Sequence, residues 1–350
     1  NIPVGILSVL LTTLLISDPP YLVRKSFRNG LKIDYIGLGL LSTGLAFLEI
    51  MLDEGQRKDW FGSQLIVWSA VTAVVCLIAV VIWELRQKEP IIDFRMLKDR
   101  NFAISTGTMY MLGFVLYGST TLLPIFLQTL LGYTATLSGL VLSPGGVAIV
   151  IMMPLVGMLL GRFQARWLVV FGLVVSALGL FRMAHFNLEI DYRTAALARV
   201  VQSAGLAFLF VPINTMAFSS VAKEKTSYAT GLINLARNIG GSGGIALVTT
   251  MLARRQQFHQ QVLVSHLTPL DGGYQAALQG TAQQMLEHGA NSVQALHQAQ
   301  GVLYGLVQRQ SSMLAFVDTF WFLGVIFIGL VPLMFLMRKV RPHKGAIVME

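Results

Sequence analysis

Charge is what this chain has least of. Only 12% of its 350 residues are charged, while 54% are hydrophobic, and the mean hydropathy is +0.65. Soluble domains average roughly 25% charged residues. Half that amount cannot cover the surface of a 38.4 kDa soluble protein, which excludes a soluble enzyme and points to an all-α polytopic membrane protein. Cysteine is almost absent. The single Cys76 excludes a disulfide framework or a thiolate zinc site and reads as a small apolar filler in a helix. The histidines, 185, 259, 266, 288, 297 and 343, all fall in loops, at span ends or in the tail. With no metal-ligand spacing and no phosphate-binding loop, an enzyme reading has no site, and no cofactor is implied.

Long apolar runs are what the chain has in quantity. A helix needs roughly 20 mostly apolar residues to cross about 30 Å of hydrocarbon. Nine segments qualify or come close: 2–16, 35–52, 63–84, 103–128, 136–160, 166–184, 194–219, 228–252 and 313–337. The first is short and begins abruptly, with no basic stretch before it, so it reads as a truncated span and not as a signal peptide. Lysine and arginine sort by side: alternate connections hold 17 on one side and 7 on the other. The positive-inside rule makes the richer side cytoplasmic, with the start of the chain outside and the tail inside. The net charge of +9 is thus a topology signal and needs no nucleic acid.

Two connections exceed a turn. Residues 85–102 mix charge with Ile91, Ile92, Phe94, Met96, Leu97 and Phe102, which suits a short helix lying along the cytoplasmic interface. Residues 253–312, rich in Gln, Ala and His and broken at Pro269 to Gly273, suit a solvated, partly helical outer loop that could dock a partner.

An ionisable residue at mid-bilayer is costly and usually faces a cavity or a partner. Arg237 lies about 15 Å into its span at 1.5 Å per residue and shares a helical face with Asn234 and Gly241, a pattern expected of gating or coupling. Arg199, near the outer end of its span, suits a snorkelling anchor, and Glu49 reads as interfacial. Gly240-Gly241-Ser242-Gly243-Gly244 fits a nucleophile-elbow expression, but it stands inside an apolar helix without the strand such an elbow needs. Close helix packing through small residues explains it better, and Gly157-x-x-x-Gly161 reads the same way.

Tyr110, Phe114, Tyr117 and Gln128 fall on one face of 103–128, and Gln202, Phe210 and Asn214 on or near one face of 194–219. Aromatic and amide groups facing each other would make a wide, mainly apolar substrate-binding pocket for lipophilic guests. Pro124, Pro144, Pro154 and Pro212 suggest broken helices, as in transporters.

Several motifs then carry a resemblance. Asn1-Ile2-Pro3-Val4-Gly5, Ile33-Asp34-Tyr35-Ile36-Gly37, Pro90-Ile91-Ile92-Asp93-Phe94 with Arg100-Asn101-Phe102, and Leu123-Pro124, Gln128, Gly132 to Thr136, Gly139 and Pro144 resemble the sixth- to tenth-span signatures of EmrB/QacA-type fourteen-span drug:proton antiporters. Asn234, Arg237 and Gly241 match the thirteenth span, and Gly157 to Arg166 resembles a decayed charged loop in which Gly161 replaces the acid. The resemblance implies a major facilitator superfamily fold with nine transmembrane helices present and the amino-terminal bundle mostly missing.

On this reading 1–16 is the last helix of that bundle, and 17–102 holds two linker helices and a cytoplasmic interfacial segment. Residues 103–337 form a carboxy-terminal six-helix bundle with the loop 253–312, and 338–350 is a cytoplasmic tail. The implied activity is multidrug efflux in exchange for protons across a bacterial inner membrane, by a longer transporter of which this is the carboxy-terminal part. A periplasmic adaptor and an outer-membrane channel are implied partners. Rival readings are a same-fold exporter of a metabolite, siderophore or lipid, a membrane enzyme using Ser242, and a non-transporting scaffold acting through 253–312.

Overall fold

In a bilayer every backbone polar group must be satisfied within its own segment, so apolar runs of this length fold as helices. A computed structural model describes residues 2–15, 34–87, 90–219, 221–222 and 225–336, and every regular element among them is helical. In chain order these are α1 (Ile2–Leu15), α2 (Tyr35–Glu54), α3 (Gln64–Arg86), α4 (Arg100–Thr129), α5 (Ala135–Leu160), α6 (Ala165–Met183), α7 (Tyr192–Phe218), α8 (Thr226–Ser265), α9 (Gly272–Glu287) and α10 (Ser292–Phe335). The stretches 16–33 and 337–350, with four basic residues each, lie outside the described residues.

Short polar residues set where the helices begin. Asp34, Asp99, Thr134, Asp191, Asp271 and Asn291 each precede a helix, and each side chain accepts a hydrogen bond from an amide of the first turn. That satisfies a donor the helix itself cannot. At Asp191 the Thr194 hydroxyl and amide hold the carboxyl below the usual carboxylate range.

Seven of the described helices, α2 to α7 and α10, are long and apolar enough to cross a membrane. For α2 to α7 the edges fall within a few residues of the hydropathy boundaries, whereas α10 begins 21 residues before the boundary at 313. α8, at 40 residues, is long enough but more polar, and α1 is shorter. The prolines do not break their helices: Pro124, Pro144, Pro154 and Pro212 all lie within continuous helix. In a membrane, neighbouring helices and local adjustment compensate the missing hydrogen bond.

α4, α6, α7, α8 and α10 enclose the core. Phe126 on α4 stacks on Phe186 and meets the edge of Phe316 on α10, and Phe186 in turn meets Phe320. α1 buries no residue and α2 only Gly37 and Gly44. The outward faces of α3, α5 and α6 remain apolar, with Trp68, Val150 and Trp167 exposed, as lipid-facing surfaces are. Cys76 on α3 sits beside Gly44 of α2, where a Cβ would come within 3.2 Å of its own.

Two expectations need correction. The segment after α3 is not a helix lying in the interface. Among its described residues it forms one 3-10 turn, Phe94–Lys98, and it docks inward: Ile92 and Phe102 are buried while Ile91, Phe94 and Met96 pack against the core. The stretch 253–312 is helical over most of its length, not only in part. α8 and α10 run on through it without interruption, and α9 completes a helical projection packed along α10. The chain breaks at 266–271, beside the Pro269 to Gly273 signal, and again at 288–291. At 40 and 44 residues, α8 and α10 extend about 60–66 Å, twice the hydrocarbon thickness.

Candidate functional site

α4 is the axis of the candidate site because it packs along both α8 and α7. Its two seams use opposite chemistry. Towards α8 the backbones touch. A Cβ on Gly240 would overlap the carbonyl of Tyr110, one on Gly244 that of Phe114, and one on Gly113 the carbonyl of Arg237. Tyr117 lays its ring on Gly241, and Tyr110 and Phe114 flank Gly243. The glycine run is therefore a helix-approach surface. Ser242, within it, donates to Glu49 Oε2 on α2 at 2.6 Å. Glu49 thus bonds to another helix near the middle of α8 and does not simply reach the interface, as expected for it from sequence.

Gly157 and Gly161 do not repeat this. A Cβ at Gly157 would meet nothing within 4 Å, and one at Gly161 only the carbonyl of Met158. The close approaches between α5, α6 and α7 fall at Gly145, Gly172, Gly179 and Gly205.

Towards α7 the seam is polar. Arg199 is 6% exposed and does not snorkel. Its Nη1 donates to Gln202 Oε1 and its Nη2 to Thr120 Oγ1, each at 2.8 Å. Gln202 Nε2 donates onward to Ser119 Oγ at 2.8 Å, while Ser176 on α6 donates to the Gln202 carbonyl. No carboxylate neutralises Arg199 among the described residues. Its Nε and the Ser203 hydroxyl are buried without a partner. The signal was present in the sequence: Arg199, Gln202 and Ser203 sit at i, i+3 and i+4, on one helical face.

The expected pocket residues therefore divide. Tyr110, Phe114 and Tyr117 lie on the α8 seam, with Tyr117 still 39% exposed. Gln202 is fully buried in the polar seam. Phe210 and Asn214 are half-buried on α7, and Asn214 donates to the carbonyl of Phe210. Gln128 is exposed at the end of α4. On α8, Asn234 is exposed and Arg237 half-buried, with its Nε enclosed and unpartnered. The structure brings the three aromatic residues to one seam and does not set them opposite Gln202.

A second charged cluster escaped the sequence reading. Asp318 on α10 accepts from Arg255 Nε at 2.6 Å and lies 2.7 Å from His259 Nε2, both on α8. The cue was an acid five residues into the apolar run that starts at 313.

A helical bundle with apolar outer faces, glycine seams and charged groups inside its spans defines a multi-pass membrane protein. The chain belongs to the Major Facilitator Superfamily, whose sequence pattern matches residues 1–245. It is 33% identical to the fatty acid resistance protein FarB of Neisseria gonorrhoeae over 349 residues, 99% of this chain and 65% of that protein. With the multidrug export protein EmrB of Escherichia coli K12 it shares 31% identity over 347 residues, again 99% and 65%. The EmrB of Haemophilus influenzae is 32% identical over 331 residues, 94% of this chain and 62% of its own length. The chain thus spans slightly under two thirds of the length of these relatives.

Proposed function

We propose that this chain works in the efflux of lipophilic compounds, including drugs, across a bacterial inner membrane in exchange for protons. The observation that carries the reading is its similarity, over nearly its whole length, to proteins named as multidrug exporters. The supporting geometry is the pair of seams around α4, which give one helix two differently built contacts to move against.

In this proposal α1 to α8 and α10 make nine crossings, with the start of the chain outside and its end inside. Residues 1–16 belong to an amino-terminal bundle, 17–102 link the bundles, and 103–337 form the carboxy-terminal bundle. Tyr117, Phe210 and Asn214, being partly open, line the substrate path together with Tyr110, Phe114 and Gln128, while Gln202 holds the seam behind them. Arg237 and Asn234 couple substrate and proton movement. The projection made by α8, α9 and α10 is the surface for a periplasmic adaptor that leads to an outer-membrane channel.

Alternating access requires two bundles rocking about a shared site, so the test is made in cells expressing the gene that encodes this chain. Arg237→Ala is expected to abolish drug resistance and dye efflux while the protein remains in the membrane at wild-type level. Wild-type resistance in that variant would remove Arg237 from the mechanism. A second reading, export of fatty acids, is favoured by the relative named for fatty acid resistance. It predicts that long-chain fatty acids suppress dye efflux by competition, and absence of competition would discard it.

A further inference from the structure

The start of α2 and the last turn of α3 bring two carboxyl groups together. Asp34 Oδ1 accepts from the Gly37 amide at 2.8 Å, and its Oδ2 accepts from the Trp83 indole Nε1 at 2.8 Å. Glu84 Oε2 accepts from the Ile91 amide at 2.9 Å. The remaining oxygen, Glu84 Oε1, is sealed from solvent and has no hydrogen-bond partner, in a residue only 2% exposed. That oxygen and Asp34 both crowd the same point beside Gly37. A Cβ on Gly37 would stand 2.6 Å from Glu84 Oε1 and 2.7 Å from Asp34 Oδ2, so the two oxygens are no farther apart than those lengths laid end to end. Two neighbouring anions repel, and a buried acceptor left unmatched is costly. One proton between them removes both penalties.

We propose that Asp34 and Glu84 form a proton-binding site, with the proton held between Glu84 Oε1 and Asp34 Oδ2. A metal ion fits the donor set less well, because three of the four oxygens already face N–H groups and a hard cation needs about six oxygens. The surrounding charges are engaged elsewhere or turned to solvent. Arg95 donates to the carbonyls of Leu85 and Gln87, and Asp93 is bonded to Lys225 at 2.8 Å. Asp99 caps α4, Arg86 and Lys98 are exposed, and Tyr35 on α2 is exposed as well. Among the described residues no cation bonds to either carboxyl group.

The site also has something to act on. Glu84 holds the amide of Ile91, at the head of the docked segment, and that segment grips the α7–α8 connection through Asp93 and Lys225. Loss of the proton leaves two neighbouring anions beneath this anchor and loosens it; binding restores it. The inference rests on the efflux reading for the use made of the proton, and not for its presence.

The test is infrared spectroscopy of the full chain in detergent. A protonated-carboxyl stretch is expected at pH 7, lost in Glu84→Gln, lost or shifted in Asp34→Asn, and unmoved by Na+ or Ca2+ at constant pH. In Glu84→Gln the new side-chain amide supplies a donor where the proton sat, so that variant should fold; if it does not, Asp34→Asn carries the same comparison. A spectrum without the band, or a band surviving both substitutions, overturns the site. Loss of the band on adding a metal ion overturns it equally. Because no transport is measured, a clear band in a protein that exports nothing would refute efflux and leave the proton site standing.

Discussion

Against α8, helix α4 presents backbone carbonyls and aromatic rings to glycines; against α7, it presents hydroxyls to an amide and a guanidinium. Both seams lie in the same bundle and share a helix. The glycine seam gains from dispersion and shape alone, because lipid offers no hydrophobic incentive for helices to associate. It should tolerate changes of polarity and reject a single added methyl group. The Arg199 seam has the reverse sensitivity, since its stability lies in satisfied donors and acceptors, and a buried group left unmatched is what costs most there.

The comparison breaks first if volume does not matter on the α8 side. Gly244→Val would drive its Cβ into the carbonyl of Phe114 and should destabilise the purified chain by about 3 kcal/mol, the upper range for overpacking. Thermal unfolding in detergent measures this; an unchanged midpoint would mean that the helices are free to separate. Next comes Arg199→Met, which keeps bulk but strands Gln202 Oε1. Its expected cost is about 2 kcal/mol. A double-mutant cycle with Gln202→Leu should return a coupling of about 0.6–1.7 kcal/mol, the range of intramembrane hydrogen bonds.

A smaller effect sharpens the meaning of the polar seam. Lys225 is half exposed where it meets Asp93, so Lys225→Ala should cost less than about 1 kcal/mol, and only at low salt. The loss in Arg199→Met should instead be independent of salt. Equal salt dependence in the two would place Arg199 in contact with water. The smallest effect belongs to Gly157→Ala, where a Cβ meets nothing. A stability change beyond about 0.5 kcal/mol would show that glycines outside a seam matter as much as those within one.

Much of the fold was legible because a span must satisfy its backbone internally and expose apolar side chains to lipid, and both demands are written in consecutive residues. Polytopic helical class, the edges of α2 to α7 and packing through Gly240 to Gly244 follow from that. The projection was not legible: Gln and Ala carry no apolar stripe, although they suit a helix well. Partners were the other gap. Periodicity places Arg199 on a face of α7 but does not say that Thr120 of α4 stands opposite, 79 residues away in sequence. Asp318 and His259 are separated in the same manner, by 59 residues. The surroundings of the expected pocket residues were hidden in the same way: the sequence sets Tyr110, Phe114 and Tyr117 on one face of α4 but does not say that their rings lie against Gly241 and Gly243 of α8.

The length of α8 and α10 has a mechanical consequence. Each runs from the bundle into the projection as one uninterrupted rod, and a helix without a break transmits rotation along its axis. Such a rod is a lever whose fulcrum lies in the bundle. Ser265 lies about 32 Å beyond Gly244 at 1.5 Å per residue, so a tilt of about five degrees in the α4–α8 seam becomes about 3 Å of travel at the far end of α8.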